Sequence, residues 1–247
     1  MPNRRDLIGL TGTAAMLPGA ALPAPLPAGE QARSFSATIR KRVALRYLVW
    51  APEPAARPAA GWPLLIFLHG SGERGDDLAR VKVHGPPKYA AAGRRFPFVL
   101  VAPQLPDDQY WDADALEALR ADLIARWPID PDRVLLTGMS LGGQGTWDYA
   151  VEFPGRLAAM APVCGTGMPS RAARLAKLPV WAFHGALDDV VPIAPDRQMV
   201  EAVRAAGGRP KFTVYPDVGH NAWDPAYADP ALYDWLLAQR RGRPVRG

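Results

Sequence analysis

Ser140 stands at the centre of Gly138-Met139-Ser140-Leu141-Gly142. An apolar run, Val134 to Leu136, leads into it and a helix-compatible segment follows. That is the strand, sharp turn and helix order which G-x-S-x-G requires. Such a turn lifts a serine hydroxyl clear of the sheet. It also leaves the N–H of Leu141, at the start of the helix, aimed at the place where a substrate oxyanion would form. A hydroxyl is a weak nucleophile until a base takes its proton and an acid orients that base. The rest of the chain must therefore supply an imidazole, a carboxylate and a second oxyanion donor.

The chain has four histidines, so the base can be sought by elimination. His69 and His184 each open a His-Gly pair at the end of an apolar run, where an imidazole props up a loop. His84 precedes Gly85-Pro86-Pro87 in a stretch between elements. His220 alone follows the acid candidates, on the Gly-flanked loop from Asp217 to Trp223, and is the expected base. Asp188 and Asp189 are adjacent and both qualify as the acid by position, whereas Asp217 is too close to His220 in sequence. The order serine, acid, histidine is that of the hydrolase triad on an open α/β sheet and differs from the two common protease orders. His220 would take the Ser140 proton, the alkoxide would attack an ester carbonyl, and water activated by the same imidazole would release the acid. The glycine-rich stretch His69 to Gly75 is the expected source of the second oxyanion donor, with Ser71 the candidate. It carries neither a Walker lysine nor G-x-G-x-x-G, which excludes a phosphate cradle. Trp111, Gln144 and Trp223 lie in or beside these loops and are candidate substrate contacts.

The elements that must position these groups alternate. Phe35 to Trp50 predicts an antiparallel strand pair, with Val43, Leu45, Tyr47 and Val49 on one side. Pro63 to Leu68 and Phe96 to Ala102 read as buried strands, and Asp114 to Trp127 as a helix with Leu116, Leu119, Leu123 and Ile124 on one face. Strands at Leu157 to Val163, Leu178 to Phe183 and Lys211 to Tyr215 follow, with helices at Pro195 to Ala206 and Ala231 to Arg240. The pattern predicts an α/β fold with a mostly parallel, doubly wound sheet, helices on both faces and little or no lid. Four stretches then fall beyond the carboxyl ends of the strands: His69 to Gly75, Ser140, Asp188 and His220.

At 247 residues, 49% apolar and 21% charged, the chain can bury a full core, and nothing suggests disorder throughout. The net charge of +5 is concentrated at Arg240, Arg241, Arg243 and Arg246, without a basic stripe interleaved with aromatics, so nucleic acid is not expected as a partner. Cys164 is the sole cysteine, which excludes an internal disulfide and a cysteine-based metal site and suits a small buried filler. No metal or other cofactor is expected. Residues 1–28 combine Arg4-Arg5, a short apolar stretch and a Pro/Ala-rich linker, and are expected to form a twin-arginine-like export signal. The apolar stretch, broken by Pro18 and Pro23, is too short for stable membrane insertion. Residues 29–247 then form one catalytic domain, periplasmic or secreted.

Jointly, His69 to Asp77, Ala102-Pro103-Gln104, Gly138 to Gly143, His184 to Pro192 and Gly219 to Trp223 resemble the predicted esterase branch of the α/β-hydrolase superfamily. That branch includes phospholipase/carboxylesterase-like and dienelactone-hydrolase-like proteins and bacterial esterases of the feruloyl and acetyl-xylan group. The similarity runs from about Tyr47 to Leu237. It implies the α/β-hydrolase fold, maps the triad acid to Asp188 and the early oxyanion donor to Ser71, and implies a small-molecule or polysaccharide-borne ester as substrate. Ser140 sets the chain apart from dienelactone hydrolases with a cysteine nucleophile. Two other functions share this pattern: a serine peptidase related to prolyl oligopeptidases, and a non-catalytic binding protein of the same fold. The sequence leaves the oligomeric state open.

Overall fold

The computed structural model describes residues 30–38 and 40–242. The expected leader therefore lies outside the described residues. By contacts the chain divides into Met1–Lys41 and Arg42–Gly247, and every helix and strand described belongs to the second unit.

Seven strands form one sheet: β1 (Arg46–Trp50), β2 (Trp62–Leu68), β3 (Val99–Gln104), β4 (Ile129–Met139), β5 (Ala159–Val163), β6 (Trp181–Gly185) and β7 (Lys211–Tyr215). Their order is β1-β3-β2-β4-β5-β6-β7, parallel throughout except β1, which closes one edge antiparallel to β3. Six α-helices surround it: α1 (Gly85–Ala91), α2 (Ala113–Arg126), α3 (Leu141–Glu152), α4 (Ile193–Ala205), α5 (Trp223–Ala228) and α6 (Pro230–Ala238).

β2 shows why both faces are covered. All seven of its residues are buried. Because side chains alternate along a strand, Leu64, Ile66 and Leu68 join a core with α2, α3 and α4 residues such as Leu119, Trp147 and Val200. Leu65 and Phe67 join the opposite core with α5 and α6 residues such as Tyr227 and Leu236. Each such side chain contributes roughly 1.5–3 kcal/mol on burial, so a central strand with no polar side chain suits two helical layers.

From β2 the chain passes to β3 on one side and later to β4 on the other. The crevice where the order reverses is where open α/β sheets bind ligands. The loop after β2 (His69 to Gly75) and Ser140 at the end of β4 border it.

Three local expectations are corrected. Among the described residues of Phe35 to Trp50 no strand pair forms: Arg46–Trp50 is a strand, and its ladder partner is β3. Alternation specifies a half-buried strand but not its partner. α1 is a helix although Gly85-Pro86-Pro87 reads as a stretch between elements, because proline in a first helical turn gives up an N–H that has no intrahelical acceptor. α5 is likewise a short helix within what read as loop.

Candidate active site

Ser140 occupies a strained turn. Its φ of 52° and ψ of −119° lie where L-residues rarely sit, at a cost of order 1–3 kcal/mol. The surroundings impose it: Ser140 N–H donates to the Val163 carbonyl of β5 at 2.9 Å, and α3 begins at the next residue. Both glycines of the motif are needed for space. A Cβ on Gly138 would enter the Gly142 backbone, and one on Gly142 would enter the Leu68 carbonyl at the end of β2.

His220, on the loop after β7, lies between the two other groups. Its Nε2 is 2.9 Å from Ser140 Oγ and its Nδ1 is 2.8 Å from Asp188 Oδ2. A carboxylate only accepts, so Nδ1 carries the proton and Nε2 faces the serine hydroxyl as acceptor. Asp188, on the loop after β6, is buried, and its other oxygen accepts the N–H groups of Val190 at 3.0 Å and Val191 at 2.8 Å. Adjacent Asp189 is exposed. The three residues singled out from the sequence thus meet, although 80 and 32 positions separate the two hydrogen-bonded pairs. Such an arrangement can take a proton from a serine and stabilise the resulting imidazolium.

The early glycine-rich loop is fixed by groups behind it. Leu105 N–H donates to His69 Nε2 at 3.0 Å, so the ring proton is on Nδ1, which donates to the Gly70 carbonyl at 2.6 Å. Burial holds the His69 pKa down to about 4 against the Gly70 hydrogen bond, keeping the ring neutral. Glu73, also buried, accepts Gly70 N–H at 2.9 Å, and Gln104 Nε2 donates to the Glu73 carbonyl at 2.9 Å and the Asp77 carbonyl at 2.8 Å. A Cβ on Gly70 would lie 3.6 Å from Ser140 Cβ, so the loop adjoins the serine. Ser71 is the first residue of the 3-10 turn Ser71–Glu73, and Leu141 the first of α3. The leading N–H groups of helices have no intrahelical acceptor. Both backbones can therefore offer a donor to an oxyanion, while the Ser71 side chain is exposed.

The three candidate substrate contacts separate. Trp223 is half-buried and sets its ring edge-on to His220, with centroids 5.2 Å apart. Gln144 is exposed in the first turn of α3, and its side chain hydrogen-bonds Asp148. Trp111 is only 8% exposed: it packs on Gly145, meets the His69 ring edge-on, and donates Nε1–H to the His69 carbonyl at 3.2 Å. Its place is behind the loop, in the core.

Among the described residues, Cys164, Asp188 and His220 bring possible metal-ligating atoms within 4.8 Å of one another. The Asp188 and His220 atoms are already engaged with each other, and burial pushes the Cys164 thiol far up, away from the thiolate a metal needs.

Sequence reading missed Glu73 and Asp196 as buried parts of this region. A lone acidic residue in a loop or in a first helical turn ordinarily reads as solvated.

A family model described as the dienelactone hydrolase family matches residues 100–229, more than half of the chain, including Ser140, Asp188 and His220. A solved structure titled as a thermostable esterase is 30% identical with a TM-score of 0.69, covering 80% of this chain and 60% of its own. A Methylorubrum extorquens protein, named provisionally a carboxymethylenebutenolidase, is 35% identical over 123 residues, 44% of this chain and 42% of its own length. A bifunctional acetylxylan esterase/xylanase of Neocallimastix patriciarum is 26% identical over 154 residues, 58% of this chain and 21% of its own length. The chain thus spans less than half the length of these curated relatives. With the family model spanning the sheet from β3 onward and the whole Ser140–His220–Asp188 cluster, the chain belongs to the dienelactone hydrolase family.

Proposed function

We propose that the chain hydrolyses carboxylic esters through an acyl-enzyme on Ser140, acting on short acyl or aryl esters of the acetyl or feruloyl type, free or borne on a polysaccharide. The observation that carries this reading is the pair of contacts at His220, 2.9 Å to Ser140 Oγ and 2.8 Å to Asp188. His220 accepts the hydroxyl proton as Ser140 Oγ attacks the ester carbonyl, and Asp188 stabilises the imidazolium. The Leu141 and Ser71 N–H groups hold the oxyanion. The imidazolium then gives its proton to the leaving alcohol, and water activated by His220 releases the acid. Family membership supports ester chemistry, and the serine supplies the nucleophile.

The substrate class rests on the rim. Tyr110, Met168, Leu187 and Val190 are exposed apolar side chains on the loops after β3, β5 and β6, beyond the carboxyl ends of the strands. With Trp223 beside His220 they offer an apolar, partly aromatic mouth to an acyl or aryl group. The Arg4-Arg5 leader, read as an export signal, supports a periplasmic or secreted location, where polymer-borne esters occur. The test is hydrolysis of p-nitrophenyl acetate and methyl ferulate by the chain from residue 29 and by Ser140→Ala. Turnover abolished by the substitution supports the reading; turnover that survives it removes Ser140 as nucleophile.

A further inference from the structure

Behind Asp188 lies a second histidine–aspartate pair. His184, at the end of β6, has Nε2 3.3 Å from Asp188 Oδ2, the same oxygen that accepts His220 Nδ1–H. That nitrogen carries one proton and donates it to the Val191 carbonyl at 2.9 Å, so its approach to Asp188 is a close imidazole–carboxylate contact beside that hydrogen bond. His184 Nδ1 lies 2.9 Å from Oδ2 of Asp196, in the first turn of α4, and Asp196 Oδ1 accepts Trp147 Nε1–H from α3 at 3.1 Å. The side chains of His184, Asp188 and Asp196 are 0% exposed.

We propose that His184 is a positioning residue for Asp188: its Nε2–H holds the Val191 carbonyl, fixing the turn whose N–H groups clamp Asp188, and its imidazole lies against the oxygen that holds His220. The inference rests on the triad reading given above. Asp188 then has three hydrogen-bond donors, His220 on one oxygen and the Val190 and Val191 N–H groups on the other, with the His184 ring close against the first, so its carboxylate plane is held. The charge has a separate effect. An imidazolium against Asp188 offsets part of the carboxylate's pull on His220, and removing that charge restores the full pull.

The groups facing His184 fit this assignment. Asp188 comes from the loop after β6, Asp196 from α4 and His220 from the loop after β7. Cys164 stands at the end of β5, its thiol kept neutral by burial. Burial alone would lower the His184 pKa; the Asp196 hydrogen bond, the Val191 carbonyl and both carboxylates outweigh it and raise the value.

Asp196→Asn separates charge from shape. The amide can donate to His184 Nδ1 and accept from Trp147, so His184 keeps its Nε2–H on the Val191 carbonyl but becomes neutral. The expected result is that the acid limb of kcat/KM moves up by about one pH unit, roughly a tenfold loss at pH values below the limb, with KM unchanged and the alkaline plateau retained. An imidazole NMR titration of His220 in the same variant should move in the same direction, and it needs no turnover. Failure of the ester reading would thus show as absent hydrolysis, and failure of this inference as an unmoved His220 titration. His184→Gln, a neutral side chain able to donate to the Val191 carbonyl, gives the same comparison should Asp196→Asn not fold. A lower melting temperature with an unshifted limb and an unshifted His220 titration overturns the proposal and leaves the pair purely structural.

Discussion

His220 Nδ1 sits 2.8 Å from Asp188 Oδ2, and Asp188 is clamped from behind by the Val190 and Val191 N–H groups. That clamp separates two adjacent aspartates. Asp188→Asn leaves the shape of the site intact but offers an N–H to His220, which then turns its proton toward Ser140. The expected loss is about 10⁴ in kcat with KM little changed, as wrong-tautomer variants behave. Asp189 is exposed and outside the contact, so Asp189→Asn should keep kcat within about threefold, the behaviour of a solvated surface position. Equal losses in steady-state assays of the two variants would contradict the assignment of the acid.

Ser71 acts, in this reading, through its backbone. Its side chain is exposed, so Ser71→Ala should leave activity nearly intact. Ser71→Pro removes the N–H itself, and the backbone can accept it: position 71 opens a 3-10 turn, and Gly70 has φ −79° and ψ −175°, the extended conformation a residue before proline prefers. The proline variant should fold with its melting temperature little altered and lose roughly 10²–10³ in kcat, the usual effect of deleting one oxyanion donor. A proline variant as active as the parent would remove Ser71 from the oxyanion site.

His69 ties stability to pH. Its folded pKa, about 4, lies below the ordinary histidine value of 6.5 because burial excludes the charged ring. The unfolded chain therefore binds the proton first as pH falls. The stabilisation is complete above pH 6.5 and drains away as pH drops to about 4. It amounts to about 3 kcal/mol at pH 7 for a shift of this size. Urea unfolding between pH 8 and pH 4 measures it. The gap between the parent and His69→Gln should narrow toward low pH, whereas parallel curves would refute a buried neutral His69.

The chemistry was more legible in the sequence than the structure that supports it. Ser140 announces itself by its motif and His220 by elimination, because a parallel sheet gathers strand ends at one edge, whereas only the family resemblance separates Asp188 from Asp189. Partnership is harder to read. The alternation around Tyr47 told of a strand but not that its neighbour would be β3. Proline at the start of α1 disguised a helix as a loop between elements. Asp196 gave no local signal at all, since an acidic residue in a first helical turn is ordinarily a solvated partner of the helix dipole. Only the packing of α4 against β6 turns it toward His184.

Trp111 and Trp223 look alike in the sequence, and the structure sets them to different tasks. Trp111 donates Nε1–H to the His69 carbonyl at 3.2 Å from within the core. Trp111→Phe keeps most of the ring and leaves that buried carbonyl without its donor, a cost of about 1–3 kcal/mol. Because His69 anchors the loop carrying Ser71, the loss should be seen as a lower melting temperature and a lower kcat, with KM for p-nitrophenyl acetate unchanged. Trp223 stands edge-on to His220 and half-exposed. Trp223→Ala should raise KM for methyl ferulate more than for p-nitrophenyl acetate, since an aryl acid has more surface to lose against the indole. Both variants measured on both esters make the comparison complete. A Trp111→Phe effect confined to KM, or a Trp223→Ala effect equal on the two esters, would reverse the division of labour between the two indoles.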